Sequence, residues 1–383
     1  MVAYANYFTD ARIKNYVDAL LRHGFDVDVL ALGPGDDTPP PGLRFFSMAE
    51  KHWSDRPGGY VLAQLRFLFW ATWRLAILGA REPYQFVHIH NMPNFLVFCA
   101  LVPRLKGARV ILDVHDTMPE AYATKFDLEL ASPVIAFLRW EEKISAAFAD
   151  LVITTNTLHK TVLEEHGIPP GKIAIIMNVG NERIFVPSAH KEHGKELRLV
   201  YHGTIAERLG IDLILRAMTL ARKRCPEIHL ALIGEGDYVG RTKELVAECG
   251  LLDAVELRGF LPVEELPAEL RKADVGIIGN RAYTESRKNY MLPVKMLEYA
   301  ALEIPTIVPR LKSITSYFDE HSAVFYDADD VCGLAERIVE VCQDRSVLER
   351  VTLGLRRFNR QYNWAGMEQH YMELVGDLTA GGR

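Results

Sequence analysis

Short apolar segments alternate with longer amphipathic segments along almost the whole of this chain of 383 residues. The segments at 86–90 and 109–114 have the composition of buried strands, and the stretch between them, 94–105, has helical spacing. Parallel neighbouring strands need a crossover between them, and this crossover is usually a helix. The alternation therefore predicts an α/β protein whose parallel sheets carry helices on both faces.

The alternation is interrupted once, between Asn181 and Glu196, where the apolar periodicity stops and the chain becomes polar. A second series of strands and helices follows. We therefore predict a Rossmann-like N-terminal domain over 1–185, a second Rossmann-like domain over 196–362 and a terminal helix over 363–383. The chain length also suggests two domains at about 150 residues each.

Charge and cysteine content narrow the classes of partner. A formal net charge of -6 gives no general attraction to nucleic acid or to anionic membranes, so any anion has to be bound by a local cluster. The five cysteines form no C-x-x-C pair and no metal-ligand spacing, and their number is odd. Together with the lack of a signal-peptide pattern at the start, they favour a reducing, cytoplasmic setting.

The longest apolar stretch, 60–78, contains Arg66 and Arg74 and is marginal in length for a membrane span. It is rich in Phe and Trp. Two interpretations stay open: a buried or partner-facing helix, or a helix lying on the inner face of a membrane. The second would make the protein a peripheral membrane protein.

The stretch 291–301 has the strongest signal for a ligand site. A loop leads into a helix opened by Pro293, and a buried strand follows at 304–308. Backbone N–H groups and the positive end of a helix dipole then face one spot, which favours an anion. Lys295 and Glu298 lie three residues apart on the same helix face.

Several motifs resemble, in this order, those of the GT-B family-4 glycosyltransferases, and the resemblance covers residues 10–371. They are Asp10-Ala11-Arg12, Asp113-Val114-His115-Asp116, the Asn178 loop ending in Phe185, His202-Gly203-Thr204 with Gly210, Ile233-Gly234-Glu235-Gly236, and Leu292-Pro293-Val294-Lys295 through Glu298-Tyr299. The resemblance implies two domains facing each other across a cleft, with the terminal helix crossing back to the first domain. It also implies a retaining, metal-independent hexosyltransferase that uses a nucleotide-sugar, which we expect to be UDP-linked, and no cofactor.

The same resemblance implies roles for residues of the second domain. Glu298 is expected to bind the donor ribose, since a carboxylate can accept hydrogen bonds from two neighbouring hydroxyls. Arg208 and Lys295 are the candidate cations for the diphosphate. The full set of expected donor-binding residues is Gly203, Thr204, Arg208, Leu292, Pro293, Val294, Lys295 and Glu298.

In the first domain, His115 is the expected catalytic residue, near the donor sugar. The alternative is a histidine that merely fixes a loop through Asp113 or Asp116. Asn6, Tyr7 and Glu120 are expected on the acceptor side. The acceptor itself, whether a glycan, a lipid-linked molecule or a small molecule, is not defined by these residues.

One position departs from the family pattern, because Tyr290 stands where a glutamate is common, and Glu285 is an acidic residue nearby but out of register. Two other functions therefore stay open: a nucleotide-sugar epimerase of the same architecture and a non-catalytic nucleotide- or sugar-binding protein. The D-x-D strings at 26–28 and 327–329 lack converging oxygen ligands in the sequence, so we predict no metal at either.

Overall fold

A computed structural model describes residues 1–34, 39–48, 57–188 and 194–380, with side chains in the second helix described from Val61 onward. The chain divides into two compact units. Unit 1 comprises residues 1–177, 287–289 and 367–383, and unit 2 comprises residues 178–286 and 290–366.

Unit 1 contains a parallel sheet of seven strands in the order β3-β2-β1-β4-β5-β6-β7. The strands are β1 (Val2–Asn6), β2 (Val27–Leu32), β3 (Leu43–Met48), β4 (Phe86–His90), β5 (Arg109–Val114), β6 (Leu151–Thr154) and β7 (Ile173–Ile175). The helices between them are α1 (Ala11–Arg22), α2 (Pro57–Arg81), α3 (Leu101–Leu105), α4 (Met118–Lys125), α5 (Pro133–Phe148) and α6 (Thr157–Glu165). Short 3-10 helices lie at Asn94–Ala100 and Pro170–Lys172.

Unit 2 contains a parallel sheet of six strands in the order β10-β9-β8-β11-β12-β13. The strands are β8 (Leu197–His202), β9 (Ile228–Ile233), β10 (Val255–Arg258), β11 (Val275–Ile277), β12 (Thr306–Pro309) and β13 (Val324–Tyr326). The helices are α7 (Ile211–Ala221), α8 (Val239–Glu248), α9 (Leu266–Leu270), α10 (Tyr283–Ser286), α11 (Val294–Ala301), α12 (Lys312–Thr315), α13 (Val331–Gln343) and α14 (Ser346–Gln361), with a 3-10 turn at Glu207–Leu209. α15 (Trp364–Ala380) ends the described chain.

Two parallel-sheet α/β units with a helical C-terminus confirm the predicted fold class. Local signals explain why the helices start where they do. The Asp10 carboxylate accepts a hydrogen bond from the N–H of Ile13 (3.1 Å) and caps α1. Ser132 caps α5 in the same way, and Pro133 occupies its first turn.

Each sheet has a point where the chain changes direction across the strand order, and ligands of open α/β sheets bind at such points. In unit 1 it lies between β1 and β4, and in unit 2 between β8 and β11. The loop that begins at Asn6 and the loop that begins at His202 therefore open at these two positions.

A buried polar network in unit 1 explains part of the first motif. The Arg12 guanidinium donates to both carboxylate oxygens of Asp113 at 2.8 Å, which ties α1 to β5. His88 and His90 stack beside this pair, and the Tyr371 hydroxyl lies 2.9 Å from His88 Nδ1. Tyr371 belongs to α15, so the terminal helix packs into unit 1 from Met367 onward, as predicted.

Candidate functional site

The loops at the carboxyl edge of the unit 2 sheet approach each other backbone to backbone. Gly203 follows β8 with φ of 99°, and Gly234 follows β9 with φ of 138°. A Cβ on Gly234 would lie 1.9 Å from the Gly203 carbonyl oxygen. The N–H of Ile205 donates to the carbonyl of Glu235 at 2.8 Å. Only glycine fits at position 234, because the backbone φ is positive and the Gly203 carbonyl oxygen occupies the place of a Cβ.

Glu298 lies on α11 and faces the end of β8. Its Oε2 atom is 2.6 Å from Nε2 of His202, the last residue of that strand. Since a carboxylate only accepts, the histidine donates from Nε2. Among the described residues Glu298 makes no second side-chain hydrogen bond, and its side chain is 13% exposed. One carboxylate oxygen is thus fixed by His202 while the group stays accessible.

Lys295, one helical turn before Glu298, lies against Tyr201. Its ammonium donates to the Tyr201 hydroxyl at 2.7 Å and sits 3.9 Å from the ring centroid. The Tyr201 hydroxyl in turn donates to the carbonyl of Thr204 at 2.6 Å. Burial lowers the pKa of Lys295 to about 7. The charge of Arg208 adds to this effect and the Glu298 carboxylate opposes it.

The structure brings most of the predicted donor-binding residues together. Gly203 lies beside Lys295, whose Cε is the side-chain atom nearest to a Cβ built there (3.6 Å). Arg208 is exposed on the 3-10 turn, near enough to lower the pKa of Lys295. Three more residues form the turn into α11: Leu292 and Pro293, which are buried, and Val294, the first helical residue. Pro293 is the residue just before the first turn rather than in it.

The two residues at which the family pattern changes have contacts of their own. The Glu285 carboxylate accepts from the N–H groups of Lys312 (2.9 Å) and Ser313 (2.8 Å), so it caps α12. The Tyr290 ring lies 5.5 Å from the Lys312 ammonium. Glu285 thus ties α10 to the start of α12, and Tyr290 lies near the same residue, Lys312.

In unit 1, His115 follows β5. Its N–H donates to Asn91 Oδ1 at 3.1 Å, and the same asparagine donates to the carbonyl of Asp116 at 2.7 Å. The side chain is half-buried, and its Nδ1 atom is buried without a hydrogen-bond partner among the described residues. Asn91 therefore holds the backbone of the loop while the imidazole is not engaged by Asp113 or Asp116.

Glu120 is fully buried beside His166. Its Oε1 lies 3.2 Å from His166 Nε2 and 3.4 Å from Arg139, and His166 Nδ1 is 2.5 Å from Glu142. Burial alone would lower the pKa of His166, but the two carboxylates outweigh it and raise the pKa to about 9. His166 is thus a buried cation between two acids.

His159 is a further histidine in this region, and burial lowers its pKa to about 4 against the opposing charges of Asp116 and Glu120. Four buried polar atoms here have no hydrogen-bond partner among the described residues: His115 Nδ1, Thr117 Oγ1, Glu120 Oε2 and His159 Nε2. Such atoms are uncommon in folded proteins, and perturbed histidines concentrate at functional sites. This group of residues is the candidate functional region of unit 1.

Asn6 and Tyr7 lie at the end of β1, apart in sequence from this histidine group. Asn6 Oδ1 accepts from the N–H of Phe8 at 3.0 Å, and Tyr7 is buried against Phe8 and Phe45.

The sequence did not predict the contacts of His202, His159 and His166. Only His202 had a signal, since it opens the motif His202-Gly203-Thr204.

Among the described residues, one group could offer three metal ligands, namely His88, His90 and Asp113. Both Asp113 oxygens already accept from Arg12, so a cation is in place at this carboxylate. At the two D-x-D strings we predict no metal. Asp28 of the first string accepts hydrogen bonds from Arg44 and Tyr84 (both 2.6 Å), and Asp329 of the second accepts one from Arg281.

Comparison with known proteins assigns both halves of the chain. Residues 9–178 match the family described as "Glycosyl transferase 4-like domain", and residues 196–344 match "Glycosyl transferases group 1". The chain is 25% identical over 357 residues to the putative colanic acid biosynthesis glycosyltransferase WcaL of Escherichia coli, covering 86% of this chain and 87% of that protein. Its match to the Salmonella typhimurium counterpart is 26% identical, covers 55% of this chain and spans only 54% of that relative.

A shorter match, 26% identical over 141 residues, covers 37% of this chain and 37% of a GDP-mannose-dependent phosphatidylinositol monomannoside mannosyltransferase of Mycolicibacterium smegmatis. Among solved structures, a sucrose-phosphate synthase of Thermosynechococcus elongatus has a TM-score of 0.78 at 18% identity, with 99% of each chain covered. Anabaena HepE in complex with UDP-glucose has a TM-score of 0.69 at 11% identity, over 98% of this chain and 99% of that one.

These matches cover both units and agree with the two parallel sheets. The chain therefore belongs to the GT-B family-4 glycosyltransferases.

Proposed function

We propose that the protein transfers a hexosyl group from a UDP-sugar to a hydroxyl acceptor with retention of configuration. The observation that carries the proposal is the pairing of Glu298 with His202 beside Lys295 at the carboxyl edge of the unit 2 sheet. A carboxylate held by one oxygen and a cation one turn earlier match a ribose and a diphosphate in both charge and hydrogen-bonding type.

The donor is bound as follows in this proposal. Glu298 accepts hydrogen bonds from the ribose hydroxyls, and His202 fixes the orientation of the carboxylate through its 2.6 Å hydrogen bond. The diphosphate lies near Gly203 and Thr204, with Lys295 and Arg208 supplying positive charge. Backbone N–H groups after Leu292 and Pro293, from Val294 onward, add donors at the start of α11.

Transfer itself relies on positioning and on stabilising charge. His115 donates a hydrogen bond to a sugar hydroxyl near the reacting carbon, and the cations of unit 2 stabilise the departing diphosphate. No enzyme nucleophile, metal or cofactor takes part in this proposal. On the acceptor side, Asn6 and Tyr7 contribute the end of β1. Glu120 is fully buried, so it acts through His166 and Arg139.

The proposed acceptor is a growing glycan or a lipid-linked intermediate. The supporting observations are the names of two relatives, one for colanic acid biosynthesis and one for a phosphatidylinositol mannoside. We place the reaction in the cytoplasm, because the five cysteines are all free thiols.

A panel of UDP- and GDP-linked sugars tests the proposal. We expect turnover with a UDP-sugar, detected as released UDP, and an α-configured product from an α-linked donor by NMR. Turnover only with GDP-sugars would overturn the choice of nucleotide, and inversion would overturn the retaining mechanism. Conversion of UDP-GlcNAc to an epimer without acceptor would instead show an epimerase. Binding with no donor consumption, even by slow hydrolysis, would show a non-catalytic binder.

Two variants separate the roles in the two units. His115→Ala should lose turnover while UDP still binds, because the histidine acts on the sugar and not on the nucleotide. Arg208→Ala should remove most of the affinity difference between UDP and uridine and leave uridine binding unchanged. Normal turnover in His115→Ala would make this residue structural.

A further inference from the structure

Helix α2 has two different faces. Its inward face places Phe67, Ala71 and Leu75 in the core cluster of unit 1. Its outward face carries large apolar side chains at every fourth residue: Val61, Leu65, Phe69 and Trp73. Phe69 is 71% exposed and Trp73 is 58% exposed. Side chains four residues apart lie on one helix face, so these four form a continuous apolar stripe.

Two neighbouring helices are built in the same way. In α5, Ala146 packs into that core cluster, whereas four large apolar side chains point outward: Val134, Phe137, Trp140 and Ile144. The Phe137 and Trp140 rings contact each other, with centroids 5.8 Å apart. Leu101 and Leu105 on α3 are also exposed.

The three outward faces lie on one side of the sheet. The chain crosses from β3 to β4, from β4 to β5 and from β5 to β6 in the same direction across the strand order. Right-handed crossovers then place α2, α3 and α5 on the same side of the sheet. Contacts agree: the Lys106 ammonium, just after α3, donates to the Gly79 carbonyl of α2 (3.2 Å), and Arg104 of α3 donates to the Phe148 carbonyl of α5. We call the exposed surface of α2, α3 and α5 the three-helix face.

The charges within these segments have one sign at the surface. From Val61 to Arg81, from Asn94 to Lys106 and from Pro133 to Phe148, the basic residues are Arg66, Arg74, Arg81, Arg104, Lys106, Arg139 and Lys143. The acidic residues there are Glu141 and Glu142, and both are buried. The exposed charges within these segments are therefore basic, although the whole chain carries a net charge of -6. Two of these cations have acidic partners outside the segments: Arg104 pairs with Asp150 and Arg139 with the buried Glu120.

This combination favours one kind of occupant. Trp and Phe side chains flanked by Arg and Lys match the interface of a bilayer with anionic headgroups. A second copy joined through the same face would bring two sets of cations together, which opposes association. The helix from Val61 to Arg81 is long and apolar enough to cross a membrane, but its inward face is packed into the core and it contains Arg66 and Arg74. Lying on the surface keeps those contacts, and crossing would break them.

We propose that the three-helix face docks unit 1 onto an anionic lipid bilayer, with Phe69, Trp73, Phe137 and Trp140 inserted at headgroup depth and the surrounding Arg and Lys side chains at the phosphates. Docking goes beyond sugar transfer and needs no donor, so it can be tested in the absence of any glycosyltransferase activity.

Co-sedimentation with vesicles tests the docking directly. The wild-type protein is mixed with vesicles of phosphatidylcholine alone or of phosphatidylcholine with phosphatidylglycerol. We expect binding to the anionic vesicles that weakens with added salt. Phe69→Ser/Trp73→Ser should reduce the partition coefficient by roughly tenfold or more, since it removes two inserted rings. Arg66→Glu/Lys143→Glu should reduce binding to the anionic vesicles only.

A matched control lies in unit 2, where Leu252 and Phe260 are also exposed apolar residues (76% and 56%). Leu252→Ser/Phe260→Ser should bind vesicles like the wild type. All the substituted side chains are exposed, and an unchanged thermal melt verifies folding. Equal binding of Phe69→Ser/Trp73→Ser and wild type, or no preference for anionic vesicles, would overturn the proposal. A dimer in solution that dissociates in Phe69→Ser/Trp73→Ser would also overturn the proposal, because the three-helix face would then be covered by a second copy of the chain.

Discussion

At the scale of single residues, the site in unit 2 depends on side chains far apart in sequence. His202 and Glu298 are separated by 96 positions and meet at 2.6 Å. Lys295 is held against an aromatic ring, in surroundings that disfavour its charge. An incoming diphosphate would raise the pKa of Lys295 again, because an anion near the ammonium stabilises its protonated form.

Nucleotide binding should therefore depend on the protonation of Lys295. With a pKa of about 7 the lysine is largely neutral at pH 9, so binding of UDP must take up a proton there. We expect the affinity for UDP to rise as the pH is lowered from 9 to 7, measured by calorimetry in buffers of different ionisation enthalpy. Lys295→Arg should bind UDP with little pH dependence over this range, since a guanidinium stays charged. A flat pH profile in the wild type would exclude this coupling.

At the scale of elements, the carboxyl edge of the unit 2 sheet depends on glycines that let two loops touch. Gly234→Ala places a Cβ 1.9 Å from the Gly203 carbonyl at a φ of 138°. We expect a loss of about 1 to 3 kcal/mol in the free energy of unfolding, together with weaker UDP binding. Denaturant unfolding measures the first effect.

Gly240→Ala is the matched control for this change. Gly240 lies within α8, and a Cβ there would meet nothing within 4 Å. The substitution should raise stability by about 0.5 to 1 kcal/mol, because alanine favours a helix. If both variants had the same stability, close loop contact would not be the reason for glycine at Gly234.

Elements with strong periodicity were predictable, and short or exposed ones were not. β4 and β5 coincide with the strands predicted at 86–90 and 109–114, and α15 lies within the terminal helix predicted at 363–383. β3 was missed: it is an edge strand with exposed residues, so no continuous apolar run marks it. β13 has three residues, too few to show a period. The stretch 94–105 was predicted as one helix but is a 3-10 helix followed by α3.

The same distinction applies to the site. Motifs carry Gly203, Lys295 and Glu298, so the sequence could group them as one expected site, and the structure brings them close together. The partnership of Glu298 with His202 was not predictable, since contacts between distant residues leave no local pattern. In unit 1 the histidine group was also hidden, because His159 and His166 lie on and after a helix whose sequence has no motif.

At the scale of the whole molecule, buried histidines of opposite behaviour should shape stability against pH. Burial lowers the pKa of His90 to about 4, whereas Glu120 and Glu142 raise that of His166 to about 9. The unfolded pKa of both is about 6.5. Stability should therefore fall as the pH drops from 6.5 toward 4, since the unfolded chain then binds the proton of His90 more tightly. The contribution of His166 to stability should fall as the pH rises from 6.5 through 9, since His166 then loses its proton in the folded state. Lys295 acts in the opposite direction above pH 7, because its pKa in the folded state lies below the ordinary lysine value.

His166→Gln tests the alkaline side. It should be less stable than the wild type at pH 6.5, and this difference in melting temperature should shrink between pH 7 and pH 9, where His166 loses its proton. The acid side should persist in this variant because it depends on His90 and His159. A difference that stays constant between pH 7 and pH 9 would show that His166 keeps no raised pKa in the folded protein.

The central claim is that the face of α11 beside β8 binds the nucleotide, with Glu298 on the ribose. Calorimetric titration of Glu298→Ala with UDP tests it most directly. We predict a loss of about 1 to 3 kcal/mol in binding free energy, as expected when a charged hydrogen-bond partner is removed. Titration of 2′,3′-dideoxy-UDP gives the matched comparison, and its affinity should be nearly the same in the wild type and the variant. Unaltered affinity of Glu298→Ala for UDP would contradict the claim.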